Sequence, residues 1–181
     1  MHRLSHFDGV DWRPYRHPAH FVLPQQTGGA VVAGSPASDP ALFLALVECL
    51  APPYFLLYVL HTPRGEAQPG RYQSPPLSVE ELRDWLGRYA GFLCADGRYD
   101  LWAHSPEQRA TVVWDRHDRL YAYGPTDEYA RRLRELGFSE GEVRIPAPHE
   151  HYYRSECDPD ARDLIASLDW HHSPLQPQDE Q

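Results

Sequence analysis

Residues 98–123 contain three short segments in which apolar and polar residues alternate. The segments span residues 98–104, 109–115 and 119–123, so the connections between them contain only four and three residues. Parallel strands need a crossover of a dozen or more residues, whereas connections this short join antiparallel strands. We therefore expect a three-stranded antiparallel meander, and this expectation restricts the possible folds more than any other feature of the sequence.

The alternation also predicts which side of the meander is buried. Successive side chains of a strand point to opposite faces, so Leu101, Val112 and Leu120 share one face. Trp102 and Tyr121 then lie on the other face. We expect helices to cover the first face, and either a partner or the ends of this same chain to cover the second.

Helix signals precede and follow the meander. Ser78 and Glu81 form a capping box, and Leu77 with Leu82 form a hydrophobic staple, before an apolar stripe that runs to residue 93. The dipeptides at 39–40 and 158–159 are both Asp-Pro, which places an N-cap before a proline at the first helical position. A further helix is expected over residues 124–137.

Two more strands complete the predicted fold. Residues 54–60 form an unbroken apolar run of strand length, and residues 142–145 are expected to form an edge strand that stops at Pro146. The pattern predicts an α+β fold, in which about four helices pack on a mostly antiparallel sheet made of the meander plus a central strand.

The distribution of prolines divides the chain. Residues 1–37 carry prolines and histidines without any periodicity, so we expect an irregular N-terminal arm that ends in a short strand at residues 30–33. Residues 38–170 are expected to form a single α+β domain, and residues 171–181 a polar C-terminal tail.

Absent residue types exclude several kinds of chemistry. The chain contains neither Lys nor Asn, a composition typical of a high-GC genome, so Schiff-base catalysis and a phosphate-loop lysine are excluded.

A net charge of −9 argues against nucleic-acid binding. The sequence has no apolar run long enough for a membrane span and no apolar leader, so we expect a cytoplasmic bacterial protein that does not associate with membranes.

His149 and His151 are the best candidates for metal ligands. In an extended chain, residues two apart face the same way, so both imidazoles could bind one zinc ion. Glu156 or Asp158, or a histidine from the sheet (His61 or His104), could complete the site. Because this spacing is also common by chance, we expect no cofactor, and a small metal-dependent enzyme that uses this pair of histidines remains the alternative.

At residues 115–118, Asp-Arg-His-Asp fits either an acid–base pair around His117 or a polar turn.

Two sets of residues indicate a protein-binding surface. Tyr, Trp and Arg often anchor interfaces, and residues 155–181 carry seven acids against one Arg, which fits a solvated surface or the attraction of a basic partner. The candidate binding residues are Trp102, Tyr121, Tyr123, Tyr152, Tyr153, Asp160, Asp163 and Asp169. In size, acidity and aromatic content the chain resembles small bacterial immunity proteins. This resemblance implies a non-catalytic immunity or antitoxin protein that masks a cognate toxin or other protein partner, such as a basic toxin domain.

Overall fold

A nine-stranded sheet forms the centre of the molecule in the computed structural model, which describes residues 2–179. The described strands are β1 (Leu4–Phe7), β2 (Trp12–Pro14), β3 (His20–Val22), β4 (Val31–Gly34), β5 (Phe55–Leu60), β6 (Gly70–Gln73), β7 (Tyr99–Ser105), β8 (Ala110–Trp114), β9 (Arg119–Tyr123), β10 (Ser139–Glu140), β11 (His149–His151) and β12 (His171–Ser173). The helices are α1 (Pro40–Val47), α2 (Val79–Ala95), α3 (Thr126–Glu135) and α4 (Asp158–Ala166).

The large sheet is antiparallel except at one edge. Its strand order is β10-β3-β4-β9-β8-β7-β5-β6-β12, and β10 pairs with β3 in parallel. A smaller sheet has the order β11-β1-β2. The predicted meander is confirmed as β7, β8 and β9, with Trp102 opposite Val113 and Val113 opposite Tyr121.

The helices pack on the face of the large sheet that the alternation predicts to be buried. Leu101, Val112 and Leu120 are almost completely buried in the core cluster. Phe92 of α2 stacks on Tyr99 of β7, while α1 contacts β8, α3 contacts β4 and β9, and α4 contacts α2. The α+β class is therefore confirmed. Within residues 2–179, no helix combines the length and the apolar character that crossing a membrane requires.

The capping box of α2 is present as predicted. The Ser78 side chain accepts the backbone N–H of Glu81, and the Glu81 carboxylate accepts the backbone N–H of Ser78. Asp39 caps α1 in the same way, by accepting the backbone N–H of Ala41. Asp158, in contrast, does not cap α4: its carboxylate instead accepts hydrogen bonds from Arg98 and Arg64.

The first 37 residues contain four strands, where the sequence predicted an irregular arm with one. β3 and β4 belong to the large sheet, and β1 and β2 to the smaller one. Prolines interrupt any local pattern here, and each strand is at most four residues long. Neighbouring strands pair with each other, β1 with β2 and β3 with β4. Distant partners extend both pairs: β11 lies beside β1, β10 beside β3, and β9 beside β4.

Two expectations for the second half of the chain are also corrected. Residues 142–145 form no strand, and the edge strand on this side of the sheet is β10 instead. In the register that places Ser139 beside His20, residues 142–145 lie beyond the end of β3 at Val22. Residues 171–173 of the predicted tail form β12, which pairs with β6, and Asp179 is buried. Residues 180 and 181 of the predicted tail lie outside the described residues.

Candidate metal centre and adjoining cavity

Three histidines from two sheets converge at one place. His117 lies in the turn between β8 and β9, while His149 and His151 lie on β11. One ring nitrogen from each lies within 4.8 Å of the others. Ligand nitrogens bound to zinc at 2.0–2.1 Å would stand roughly 3.4 Å apart in a tetrahedron, so modest ring rotations would close this triangle around an ion.

Strand β11 explains why two of these imidazoles point the same way. His149 and His151 alternate with Glu150, and β11 pairs with β1 through the contacts His6↔His149 and Leu4↔His151. This is the arrangement that the spacing predicts. Neither Glu156 nor Asp158 joins the cluster: Glu156 is exposed, and Asp158 binds Arg98.

The third imidazole is held by the turn that carries it. One oxygen of Asp115 accepts the backbone N–H groups of His117 and Arg119. Asp118 adopts a φ of 59°, a left-handed conformation that Asp tolerates better than most residues. Its carboxylate lies 2.8 Å from Nε of Arg3, the residue immediately before β1. The two acids therefore build the turn, in agreement with the polar-turn interpretation of residues 115–118.

The hydrogen bonds of the imidazoles suit metal binding. Nδ1 of His149 lies 2.9 Å from the carbonyl oxygen of Pro146, and Nδ1 of His117 lies 3.4 Å from a carboxylate oxygen of Asp115. Ligating histidines commonly donate one ring N–H to a carbonyl or a carboxylate, which leaves Nε2 as the ligand atom. Two of the three rings have such a partner.

His151 is held in its neutral form. Burial, together with the neighbouring His117, Arg116 and His149, lowers the pKa of His151 to about 3. Its Nδ1 is buried without a hydrogen-bond partner among residues 2–179. A metal ligand must be the neutral imidazole, so this environment favours the binding form at physiological pH.

A cavity of about 540 Å³ adjoins this cluster on the face of the large sheet opposite the helices. His117 belongs to both the cluster and the cavity wall. The wall is formed mainly by alternate residues of β7, β8 and β9: Asp100, Trp102, Thr111, Val113, Asp115, Arg119, Tyr121 and Tyr123. A volume in this range is typical of sites for small molecules.

The predicted partner-binding residues fall into separate groups. Trp102, Tyr121 and Tyr123 line the cavity together. Tyr152 instead approaches Ser5 with its hydroxyl group, at 3.2 Å, and Tyr153 is exposed beside His151.

The predicted acidic residues lie in the helical layer. Asp160 and Asp163 belong to α4 and Asp169 follows it, and all three are exposed. Because α4 packs on α2, these acids are on the other side of the sheet from Trp102 and Tyr121. Asp163 also binds the Arg88 guanidinium and the Tyr89 hydroxyl group.

The sequence did not identify His117 as a ligand. Among the histidines it suggested as a third ligand, His61 hydrogen-bonds Asp100 at 2.9 Å and His104 hydrogen-bonds Thr111 at 2.9 Å. The only local signal for His117 is a histidine in a tight turn, which does not reveal that β11 lies opposite.

Comparison with known proteins supplies no identity. No protein-family model, curated protein or solved structure matches the chain. The candidate function therefore depends on the geometry of this site.

Proposed function

We propose that this protein binds a divalent transition metal, zinc above all, through His117, His149 and His151, and acts as a metal-dependent hydrolase. The observation that carries the proposal is the convergence of three ring nitrogens within 4.8 Å of one another at the wall of a cavity. Zinc favours nitrogen ligands and tetrahedral geometry, and three imidazoles leave one position open.

An open fourth position is what distinguishes catalytic zinc sites from structural ones. A zinc ion held by these three imidazoles would lower the pKa of a bound water to about 7 and polarise a carbonyl oxygen, which is the chemistry that the hydrolysis of an ester or amide requires. Asp100 lines the same cavity and has His61 at 2.9 Å, so we assign this pair to proton transfer.

Metal titration of the purified, untagged protein tests the proposal. Cobalt(II) serves as the spectroscopic probe and zinc as the competitor. We expect one ion per chain with a tetrahedral cobalt spectrum, and a loss of at least tenfold in affinity for each of His117→Ala, His149→Ala and His151→Ala. His104→Ala is the matched control because His104 binds Thr111 outside the cluster.

The involvement of His117 is the decisive result of this titration. Equal cobalt affinity of the wild type and the His117→Ala variant would overturn the proposed three-histidine centre. If the centre binds metal, the zinc-loaded protein should release 4-nitrophenolate from 4-nitrophenyl acetate faster than the metal-free protein does.

A second candidate function, the masking of a protein partner such as a toxin, is favoured by one observation. The described helices cover one face of the sheet, and on the other face Trp102 and Tyr121 are only partly buried while Tyr123 is 43% exposed. Capture experiments with wild-type and Trp102→Ala baits test it. A partner retained by the wild type and lost by the variant supports masking, and equal retention counts against this face.

A further inference from the structure

We propose that the cavity takes a ligand with a metal-binding carbonyl or hydroxamate-like end and a flat aromatic body without negative charge, so that the substrate class is an aromatic ester or amide. This inference rests on the proposed metal centre and adds the chemical class of the substrate. It follows from the order in which side chains of different chemistry line the cavity.

The cavity wall changes from polar to aromatic with distance from His117. In the row of side chains nearest the turn lie Asp100, Asp115 and Arg119. The next row, two residues further along each strand, is Trp102, Val113 and Tyr121, which are direct neighbours across β7, β8 and β9. Thr111 and Tyr123 form a third row.

Strand geometry sets the distance between these rows. Each row lies about 6.7 Å from the next, because two residues of a strand span about that length. A six-membered ring attached directly to a metal-binding group therefore reaches the row of Trp102, Val113 and Tyr121. The guanidinium groups of Arg71 and Arg119 lie over the Trp102 and Tyr121 rings, at 5.4 and 5.1 Å, and both rings still line the cavity. Flat rings pack well against aromatic side chains, so Trp102 and Tyr121 favour a planar body over a branched one.

The arginines in the cavity wall already have partners in the protein, and the carboxylates there outnumber them. Arg119 donates two hydrogen bonds to Asp115, at 3.0 and 3.1 Å, and Arg116 also has an interaction partner. Asp179 lies 3.8 Å from Arg71, whereas the Asp100 carboxylate has a backbone N–H and the His61 ring beside it. A negatively charged ring substituent would therefore lose its water without gaining a counter-ion, so the aromatic body of the ligand should carry no negative charge.

A matched set of hydroxamates tests this inference on the zinc-loaded or cobalt-loaded protein. Acetohydroxamate reports the metal alone, benzohydroxamate adds the flat ring, and 4-carboxybenzohydroxamate adds a charge to that ring. We expect benzohydroxamate to bind at least about tenfold more tightly than acetohydroxamate, because the ring buries apolar surface. The carboxylate should remove this advantage.

Substitutions in the second row locate the effect. Trp102→Ala should reduce the advantage of benzohydroxamate to less than about threefold and leave acetohydroxamate binding unchanged. Trp102→Leu, which keeps an apolar side chain but lacks a flat ring, is the second variant and should show an intermediate loss. Val22→Ala is the control, because Val22 is an exposed apolar residue of β3 that does not line the cavity.

The outcomes separate this inference from the proposed function. If cobalt binds but the two uncharged hydroxamates bind equally well, the aromatic substrate class is wrong and the metal centre stands. Equal binding of the charged and uncharged rings would also overturn the inference. If no cobalt binds, both the proposed function and this inference are wrong.

Discussion

Arg3 and Asp118 form a buried ion pair, with 2.8 Å between Nε of the arginine and a carboxylate oxygen. Arg3 immediately precedes β1, which pairs with the strand carrying His149 and His151, and Asp118 ends the turn that carries His117. The guanidinium also hydrogen-bonds the Tyr99 hydroxyl group and the backbone carbonyl of Asp115. One side chain therefore connects the two sheets that supply the histidines.

Loss of this ion pair should strongly destabilise the protein. Arg3→Ala leaves the Asp118 carboxylate buried without its cation, which costs about 3–5 kcal/mol in comparable sites. Urea unfolding measures the change in the free energy of unfolding. The control is Arg131→Ala, since Arg131 makes its ion pairs on the exposed surface of α3, and little change is expected there. Similar values for the two variants would show that the buried pair is not important for stability.

Gly97 allows the position of His151 to be tested without removing a ligand. A Cβ at residue 97 would lie 3.1 Å from Cβ of His151 and 3.2 Å from its Nδ1, so the histidine would have to shift. We expect Gly97→Ala to weaken cobalt binding about tenfold, as the loss of supporting contacts does in other metal sites. Gly91→Ala is the control because a Cβ at residue 91 meets no atom within 4 Å. If both variants bind cobalt like the wild type, Gly97 does not position His151.

The stability of the protein should decrease in acid through Asp158. Burial raises the pKa of Asp158, but hydrogen bonds from Arg98 and Arg64 lower it more, so the pKa in the folded state is below its ordinary value. A lowered carboxyl pKa contributes stability above the unfolded-state pKa of about 3.9, and this contribution is lost as the pH falls through the folded-state pKa. Asp158→Asn should therefore lower stability at pH 7 and flatten its dependence between about pH 5 and pH 2 in urea unfolding. The exposed residue Asp160 of the same helix provides the control, as Asp160→Asn.

The start of α2 gives a fourth prediction, which compares a cap with a core contact. Ser78→Ala removes the acceptor for the Glu81 N–H and should cost about 1 kcal/mol. Leu82→Ala leaves a cavity at a fully buried position and should cost about 2–5 kcal/mol. Thermal or urea unfolding that ranked Ser78→Ala as the more damaging change would contradict the packing of α2 described above.

The parts of the fold that were predictable from sequence depend on residues close together in the chain. The capping box at Ser78 involves four consecutive positions, and the meander follows from connections of four and three residues. The N-terminal strands could not be predicted because each has at most four residues, too few for a pattern. Neighbouring strands pair there, but β1 and β3 also depend on β11 and β10, which lie more than a hundred residues away.

The same distinction explains the candidate site. His149 and His151 could be proposed because a strand repeats every two residues, whereas His117 belongs to a different turn and meets them only through tertiary packing. Asp158 shows that tertiary contacts can also replace an interaction that the local sequence predicts. Asp-Pro is a good local signal for a helix start, but Arg98, already bound to Asp96 and Glu66, provides a stronger partner for its carboxylate.

The pairing of β11 with β1 makes the number of residues between the two histidines of β11 matter more than their identity. A single residue inserted between His149 and His151 would place them three positions apart and turn one of them to the opposite face of the strand. A substitution at Glu150, which alternates with them, leaves both histidines on the same face. Natural variants of this protein that keep the centre should therefore differ at position 150 and preserve the spacing of the two histidines.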